Sequence, residues 1–244
     1  IGGMYAEDLG YSFDSKISAM AYSPLSNNLW YVSTEDGHFF YSDNSGASFT
    51  ETSNFSGPES HYFYGSSILP SPMNSERVYI GGSGYSNPGI YLSQDGGETF
   101  ESFDEGLPNT LVYGLACLPD ESMIFAATEV GPYCFSFDDG NWEDMSNDAA
   151  PEQVYWSVEY IHEIKTVRFG TYGRGIWDYT FDYNPILEIG DINQDELVNV
   201  DDFISLVAIL MSEQDISEHI LALGDLNYDD KLDICDLLLL ADMI

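Results

Sequence analysis

A short turn pattern recurs along the first three quarters of the chain and constrains its fold more than any other feature. Its best copy runs from Ser93 to Phe100 and reads Ser-x-Asp-x-Gly-x-Thr-aromatic, directly after a strand-like run from Gly89 to Leu92. In such a stretch the Ser and Asp side chains bond to turn backbone, the glycine takes a positive φ, and the aromatic residue starts the next strand facing the core. The pattern predicts a tight corner between two antiparallel strands.

Three further stretches repeat this pattern with substitutions. Residues 6–13 keep the acid at Asp8, residues 42–49 replace it with Asn44, and residues 136–142 keep Asp138 but are one residue short before the aromatic. The glycines of the four copies are 36, 51 and 43 residues apart. A period of this length is typical of the blades of a β-propeller.

Each repeat offers four short runs rich in apolar, β-branched and aromatic residues, separated by Gly, Pro, Asn and Ser. The predicted strands are residues 17–22, 29–33, 39–41, 49–52, 62–69, 78–81, 90–92, 100–103, 111–118, 124–127, 133–135, 142–145, 154–161, 167–169 and 176–181. We therefore predict a mainly β fold with about four blades over residues 1–184. Because large propellers have more blades, we expect either further blades before Ile1 or an open, partial propeller.

These residues resemble the Asp-box, or bacterial neuraminidase repeat, of sialidases, xyloglucanase-type glycosidases and sortilin-like receptors. The stretch from Gly170 to Trp177 resembles a signature found near the last blade of sortilin-like and xyloglucanase-like propellers. In that family the box marks the turn between the third and fourth strands of a blade and is not catalytic. The resemblance therefore implies that Asp95 and its counterparts in the other copies are structural.

The charge of the chain limits its partners. It contains 42 acidic and 6 basic residues, for a net charge of -36. Nucleic acids and anionic membranes require Lys and Arg, so we expect no nucleic-acid binding and a preference for cations or cationic partners. No apolar run of 18 residues occurs, so no membrane insertion is expected. The three cysteines have no CxxC spacing, and Cys117 and Cys134 are either buried thiols or one disulfide.

After residue 184 the hydrophobic period changes from two to helical, and two 12-residue loops appear 34 residues apart. Both carry oxygen-bearing side chains at loop positions 1, 3, 5, 9 and 12. These are Asp191, Asn193, Asp195, Asn199 and Asp202 in the first loop, and Asp225, Asn227, Asp229, Asp233 and Asp236 in the second. Calcium takes about six to eight oxygen ligands, and a position-7 carbonyl, here of Leu197 and Lys231, adds one from the backbone. The spacing predicts two Ca²⁺ sites.

Each loop precedes an apolar, helix-like run, residues 203–211 and 237–243, and neither has a clear helix before it. Paired loop and helix units with Asp at position 12 resemble the type I dockerin module, over about residues 189–244. Position 6 of the loop departs from that family, because Glu196 and Asp230 replace the usual glycine. The resemblance implies a small α-helical, calcium-binding domain over residues 185–244 that docks onto a cohesin domain.

The same resemblance places partner recognition at loop positions 10 and 11 and on the helices that follow. In this chain those positions are Val200, Asp201, Ile234 and Cys235. The partner expected is a cohesin-like protein or another surface or filament subunit. Alternatively, calcium only folds the segment and its apolar helices pack within the chain.

An enzymatic role is the main alternative, and no catalytic residue is assigned. A glycosidase needs two carboxylates at a set separation. With 42 acidic residues in the chain some pair will always meet that requirement, so an acid pair does not indicate a glycosidase here. A sialidase would need all three arginines, Arg77, Arg168 and Arg174, to converge on a substrate carboxylate. No Gly-x-Ser-x-Gly motif accompanies the histidines. The aromatics that could stack on sugar rings, or simply pack, are Tyr62, Tyr64, Tyr85, Tyr172 and Trp177.

The sequence thus predicts a secreted or cell-surface, calcium-binding interaction protein. Its propeller would contact a ligand or partner, with polysaccharide as one possibility, and its tail would dock to a cohesin-type or equivalent protein. The alternative is the C-terminal part of a glycoside hydrolase acting on polysaccharide.

Overall fold

The computed structural model describes residues 12–55, 64–83, 85, 87–137, 139–146, 150, 152–180, 190–193, 195, 197–211, 218–227 and 231–244. Two of the predicted box positions, Asp8 and Asp138, lie outside these residues, as do Glu196, Asp229 and Asp230 in the loops. The chain divides into two compact units, Ile1–Thr180 and Phe181–Ile244.

In the described part of the first unit, fifteen strands form four antiparallel sheets with the strands in chain order. Sheet 1 contains β1 (Ile17–Ser23), β2 (Ser26–Thr34), β3 (Phe39–Ser42) and β4 (Thr50–Glu51). Sheet 2 contains β5 (Gly65–Pro70), β6 (Val78–Gly82), β7 (Ile90–Ser93) and β8 (Glu101–Ser102). Sheet 3 contains β9 (Val112–Cys117), β10 (Met123–Thr128), β11 (Pro132–Ser136) and β12 (Asn141–Asp144). Sheet 4 contains β13 (Tyr155–Ile161), β14 (Thr166–Thr171) and β15 (Ile176–Thr180).

These strands confirm the mainly β class predicted from the sequence, and each predicted strand has a counterpart. The ends differ by a few residues. For example, β2 begins at Ser26 rather than at Leu29, because the hairpin turn uses only Pro24 and Leu25 and Ser26 already pairs with Ser23.

The sheets pack face to face in chain order. Strand β6 shows why, because it is buried on both faces. Its residues alternate, so Val78 and Ile80 pack in a core with sheet 1 while Tyr79 packs in a core with sheet 3. The first strands of the sheets also lie side by side, with β1 against β5, β5 against β9 and β9 against β13. This is the arrangement of consecutive blades in a β-propeller.

The best copy of the turn pattern connects β7 to β8, the third and fourth strands of sheet 2. The Asp95 carboxylate accepts a hydrogen bond from the Thr99 N–H at 2.8 Å and another from the Ser93 hydroxyl at 2.8 Å. The Ser93 hydroxyl in turn accepts from the Gly97 N–H at 2.8 Å, and Gly97 has a φ of +100°. The turn is therefore held by its own side chains, as predicted.

The Asn44 copy between β3 and β4 repeats this network. The Asn44 amide oxygen accepts from the Ser48 N–H at 2.9 Å and from the Ser42 hydroxyl at 2.9 Å. The Ser42 hydroxyl accepts from the Gly46 N–H at 3.0 Å. Asparagine therefore replaces aspartate without changing the acceptor geometry of the turn.

The Asp95 turn of sheet 2 also binds the segment that follows the last strand of sheet 1. After β4, the Asn54 side chain donates to the Phe100 carbonyl at 3.0 Å and accepts from the Phe100 N–H at 2.9 Å. The Thr52 hydroxyl donates to the Gly97 carbonyl at 2.6 Å. Phe100 itself is buried in the core between sheets 1 and 2. The turn thus joins neighbouring blades as well as neighbouring strands.

A buried carboxylate connects sheets 2 and 3. Glu121, in the turn between β9 and β10, is 3% exposed and accepts hydrogen bonds from the Tyr79 hydroxyl at 2.6 Å and the Ser71 hydroxyl at 2.5 Å. The carboxylate oxygen that accepts from Ser71 also pairs with the Arg77 guanidinium at 3.0 Å. Burial and the neighbouring Glu121 carboxylate raise the pKa of Tyr79, which therefore remains a neutral donor. The charge is fully compensated, as a buried ion requires.

Cys117 and Cys134 are free thiols, which resolves the alternative left by the sequence. They lie on β9 and β11, with β10 between them, opposite Ile124 and Phe125 respectively. Strands two apart in a sheet are about 9.5 Å from each other, and a disulfide needs Cα atoms within about 7 Å. Burial raises the pKa of Cys117 to about 12 and that of Cys134 to about 11, so both stay protonated.

The described part of the second unit contains α1 (Val200–Met211), α2 (Glu218–Gly224) and α3 (Ile234–Met243). They enclose a small core of Ile192, Leu206, Leu223, Leu232 and Leu240. Helix α2 ends immediately before the second loop, so the expectation that neither loop follows a helix is wrong for that loop. The segment is short, and its helicity depends on burial of Leu223 in this core. None of the described helices is long and apolar enough to cross a membrane.

Replacing Glu121 with Ala should lower the free energy of unfolding of the first unit by about 3 to 5 kcal/mol, because it leaves Arg77 partly buried without its carboxylate. Urea unfolding followed by tryptophan fluorescence measures this. The control is Glu35→Ala, which removes an exposed pair with Lys16 and should cost less than about 1 kcal/mol. Equal effects of the two substitutions would contradict the role of Glu121.

The turn at Asp95 should tolerate asparagine but not alanine. Burial alone would raise the pKa of Asp95, but hydrogen bonds from Thr99 and Ser93 outweigh it and lower the pKa. The stabilisation by Asp95 is therefore present above its unfolded pKa and is lost as the pH falls through its lower folded pKa. Asp95→Asn should keep the turn, as Asn44 does, and remove this acid-dependent contribution.

Asp95→Ala should lose about 1 kcal/mol at neutral pH, because the Thr99 N–H then has no acceptor in the turn. Urea unfolding between pH 3 and pH 7 distinguishes the two variants. An Asn variant as unstable as the Ala variant at pH 7 would contradict the account.

Candidate metal site in the C-terminal loops

The first loop is closed by the residue at its twelfth position. Asp202 lies in the first turn of α1 and is fully buried. One of its carboxylate oxygens accepts from the N–H groups of Ile192 at 2.8 Å and Asn193 at 3.0 Å. The other oxygen accepts from the Asn199 N–H at 2.8 Å. Asp202 therefore ties the start of the loop to the start of the helix.

Three carboxylates converge inside this loop. Asp191, Asp195 and Asp202 each offer an oxygen, and the three oxygens lie within 4.8 Å of one another. Asp191 is 5% exposed and Asp202 is 0% exposed. Oxygens that share one calcium ion at about 2.3 to 2.6 Å are at most about 5 Å apart, so the spacing suits a single ion.

The chemistry of this acidic triad suits a hard divalent cation. All the donors are oxygens, which favours Ca²⁺, Mg²⁺ or Mn²⁺ over the softer metals that prefer sulfur and nitrogen. Three carboxylates close together, two of them buried, repel one another strongly unless a positive charge lies between them. A bound cation would supply that charge and hold the loop against α1.

The other predicted ligands of this loop lie beside the triad. The Asn193 amide oxygen accepts from the Asp195 N–H at 2.8 Å, and its amide nitrogen donates to the Asp195 carboxylate at 2.8 Å. The Asn199 amide oxygen accepts from the Asp201 N–H at 2.7 Å and so caps α1. The Leu197 carbonyl lies 3.4 Å from the Asn199 amide nitrogen. In the described loop these polar atoms are therefore engaged with one another and with main-chain groups of the loop.

The second loop repeats the closure of the first. Asp236 is fully buried in the first turn of α3 and accepts from the N–H groups of Leu226 at 2.9 Å and Asn227 at 3.3 Å. Its other oxygen accepts from the Asp233 N–H at 2.8 Å, and Asp233 caps the helix through the Cys235 N–H at 2.7 Å. Each of these bonds has its equivalent 34 residues earlier in the chain.

The predicted ligands of the second loop are only partly placed. Asp225, Asn227, Lys231, Asp233 and Asp236 are described, whereas Asp229 lies outside the described residues. A triad equivalent to the first one would include Asp229, so the second ion remains a prediction. What the structure does show is that both loops use the residue at position 12 in the same way.

Sequence reasoning treated Asp202 and Asp236 only as ion ligands and missed that they also bind main-chain N–H groups. The signal was present, because Asn199 and Asp233 stand three residues before them. A short polar residue followed three residues later by an acid is the pattern of a helix capping box. The acids at position 12 thus belong to the helix as well as to the loop.

The four predicted partner-binding residues lie at the first turns of α1 and α3. Val200 is 58% exposed and Ile234 is 61% exposed, and the adjacent Asp201 and Cys235 are also exposed. One turn further on, Ile204 and Leu238 are exposed at 58% and 63%. Each helix therefore presents an apolar pair at the same place relative to its loop.

Two of the three described arginines of the first unit are paired with carboxylates. Arg77 is paired with the buried Glu121, and Arg168 makes a two-bond pair with Asp178 at 2.8 Å and 2.7 Å. The hydrogen bond from Arg168 lowers the pKa of Asp178. Two of the three arginines that a sialidase would need for its substrate are therefore engaged by carboxylates of the chain itself.

No protein-family model matches the chain, and no curated protein matches it significantly. Solved structures do resemble it in fold. An ancestral GH74 enzyme matches 70% of this chain with a TM-score of 0.56 and 19% identity, over 26% of that enzyme. A GH74 enzyme from Niastella koreensis matches 65% of this chain with a TM-score of 0.51 and 19% identity, over 26% of its length.

The extracellular domain of a hybrid two-component system from B. thetaiotaomicron is also similar. It matches 71% of this chain with a TM-score of 0.54 and 18% identity, over 23% of that domain's chain. This chain thus spans about a quarter of the length of each of these structures. The likeness shows a propeller-type fold of several four-stranded sheets, and at this level of identity it shows the fold alone.

Proposed function

We propose that this chain is a secreted or cell-surface interaction protein with two parts. Residues 1–184 form Asp-box blades of a propeller that contacts a ligand or partner. Residues 185–244 form a dockerin-like module that holds two calcium ions and docks onto a cohesin-type protein or an equivalent surface subunit. The observation that carries the proposal is the repeated loop closure at Asp202 and Asp236 together with the acidic triad beside the first of them.

Calcium is the cation that best accounts for the first loop. Asp191, Asp195 and Asp202 would supply three oxygens, and Asn193 and the Leu197 carbonyl are close enough in the loop to supply more. Calcium accepts such irregular sets of six to eight oxygens, whereas magnesium demands a stricter octahedron. The second loop would bind its ion through Asp225, Asn227, Asp229, the Lys231 carbonyl, Asp233 and Asp236.

The docking surface would be the apolar pairs at the starts of α1 and α3. The ions would hold each loop against its helix, so Val200 and Ile234 would be presented in fixed positions. Asp201 and Cys235 next to them would set specificity, and the differences between the two pairs make one of the helices the preferred contact. Outside cells calcium is abundant enough to occupy sites of modest affinity, which agrees with an extracellular location.

A second candidate function is supported by one finding, the fold similarity to GH74 enzymes. The chain would then be the C-terminal part of a glycoside hydrolase acting on polysaccharide. Residues outside this chain would have to provide most of the substrate cleft. Release of reducing sugar from a panel of polysaccharides would favour this reading over a purely adaptor role.

Calcium binding should depend on the charge of the triad. Asp195→Asn keeps the size of the side chain and its acceptor for the Leu197 N–H but removes one negative charge. We expect it to weaken calcium binding to the full-length chain about tenfold or more, since charge count tunes such sites. Isothermal titration with Ca²⁺ measures the affinity.

The control is Asp201→Asn, which removes an exposed charge of the same loop outside the triad. It should change the affinity by less than about threefold. Equal affinities of the two variants, or no calcium binding by the unmodified chain, would contradict the metal site.

Capture of purified cohesin domains on immobilised chain tests docking. We expect capture in millimolar calcium, none in excess chelator, and a loss of at least about tenfold in the double variant Val200→Asp/Ile234→Asp. Leu25→Asp is the control, because it places a charge on another exposed apolar residue, in the turn between β1 and β2. If calcium binds but no cohesin domain is captured, docking onto a cohesin domain is contradicted while the metal site stands.

A further inference from the structure

The first strand of every sheet carries a β-bulge at its second residue. In β1 the pairing register skips Ser18, in β5 it skips Ser66, in β9 it skips Tyr113, and in β13 it skips Trp156. A bulge bends the strand and re-aims the side chain of the extra residue, and bulges are frequent beside binding sites. Four equivalent bulges in four successive sheets are a repeated feature of this unit.

All four bulge residues line one cavity of about 420 Å³, which we call the bulge cavity. The first strands pack side by side, so each sheet contributes its bulge residue to the same place. The remaining described lining residues are Tyr64, Gly82, Ser83, Leu111 and Val112. All of these lining residues belong to the first unit.

The serine side of the bulge cavity is already occupied by internal hydrogen bonds. The Ser18 hydroxyl lies 3.0 Å from that of Ser33, and the Ser66 hydroxyl bonds to the carbonyls of Val112 and, at 3.2 Å, Gly81. These hydroxyls are thus engaged with the protein. They therefore have little remaining capacity to form hydrogen bonds with the hydroxyl groups of a sugar.

The opposite side is aromatic and open. The rings of Tyr113 and Trp156 are 4.3 Å apart between centroids and inclined by 39°, and Trp156 is 49% exposed. The Tyr172 ring approaches Trp156 edge-on at 6.1 Å. Tyr64, which also lines the cavity, is 39% exposed. Aromatic faces carry negative potential and attract planar groups and cations.

The charge around this aromatic side is negative. Glu129 follows β10, and its N–H donates to the carbonyl of the lining residue Leu111 at 3.0 Å. Its carboxylate accepts a hydrogen bond from the Tyr85 hydroxyl, which is 44 residues away in the chain. Burial and the Glu129 charge raise the pKa of Tyr113. The described lining of the cavity contains no Lys, Arg or His, and the whole chain has a net charge of -36.

We propose that the bulge cavity binds a lysine or arginine side chain of a basic peptide. The cation would lie against the exposed part of the Trp156 ring, which stacks on Tyr113, and Glu129 would supply the compensating negative charge. Two observations favour a cation over a neutral sugar ring. The serine hydroxyls are internally bonded, and the Glu129 carboxylate acts electrostatically on Tyr113 while the described lining contains no basic residue. The propeller would then select basic partners through a site formed by its repeated bulges.

A matched pair of peptides tests the charge requirement. One probe is acetylated and amidated Gly-Arg-Gly, and the other replaces arginine with citrulline, which has the same shape and no charge. Isothermal titration with the full-length chain at a fixed ionic strength of about 0.15 M suppresses general attraction to the acidic surface. We expect the arginine peptide to bind at least about fivefold more tightly than the citrulline peptide.

Substitutions in the cavity locate the site. Trp156→Leu should reduce binding of the arginine peptide about tenfold, whereas Tyr22→Leu, which removes another exposed aromatic ring from a first strand, should leave it unchanged. Glu129→Gln keeps the acceptor for Tyr85 and should weaken the arginine peptide about threefold without affecting the citrulline peptide. Unchanged circular dichroism shows that each variant is folded.

Three results would overturn the proposal. The first is equal binding of the two peptides. The second is binding of cellobiose without binding of the arginine peptide, which would make the cavity a sugar site. The third is an arginine-peptide affinity that neither Trp156→Leu nor Glu129→Gln changes.

Discussion

Side-chain oxygens that accept hydrogen bonds from main-chain N–H groups hold together the turns and loops on which this structure depends. Asp95 and Asn44 do this in the turns between third and fourth strands, and Asp202 and Asp236 do it in the C-terminal loops. A turn that cannot pair its N–H groups with another strand needs such acceptors. With only six basic residues in the chain, most acids cannot be stabilised by ion pairs. Main-chain N–H groups stabilise the carboxylates of Asp95, Asp202 and Asp236 instead.

The two units use repetition in different ways. In the first unit, neighbouring sheets pack face to face, so that β6 buries its alternate residues in two different cores. The Asp95 turn of sheet 2 also binds Asn54, which follows the last strand of sheet 1, through Phe100. In the second unit, two loops and their helices share one small core around Leu206 and Leu240. Repetition gives the first unit a row of equivalent bulges. It gives the second a pair of equivalent helix starts with exposed apolar residues.

Much of this was predictable from the sequence, for physical reasons that differ between features. The strands were predicted because short runs of apolar, β-branched and aromatic residues, such as β6, stand between turn residues. The turn pattern located the corner at Asp95. The three acids of the first triad were singled out because oxygen-bearing side chains at regular loop positions are the pattern that a hard cation such as calcium requires. Helix α2 was missed because its helicity depends on tertiary burial of Leu223 rather than on a long amphipathic pattern.

The bulge cavity could not be predicted in this way. A bulge is a property of register between two strands, and nothing in the residue types at Ser18, Ser66, Tyr113 and Trp156 reveals it. The residues also differ in chemistry, so they do not form a recognisable motif. Only their common place at the second residue of each first strand relates them. The Glu121 cluster was missed for a similar reason, because its members come from two different sheets.

The central claim is that the C-terminal loops enclose calcium. Anomalous diffraction from crystals grown in millimolar calcium, collected at a wavelength where calcium scatters anomalously, tests it most directly. The account predicts one peak among the carboxylates of Asp191, Asp195 and Asp202, and a second in the loop that begins at Asp225. If the loops are closed but no anomalous peak appears, hydrogen bonds alone hold the loops. The proposal of a calcium-dependent module would then be wrong.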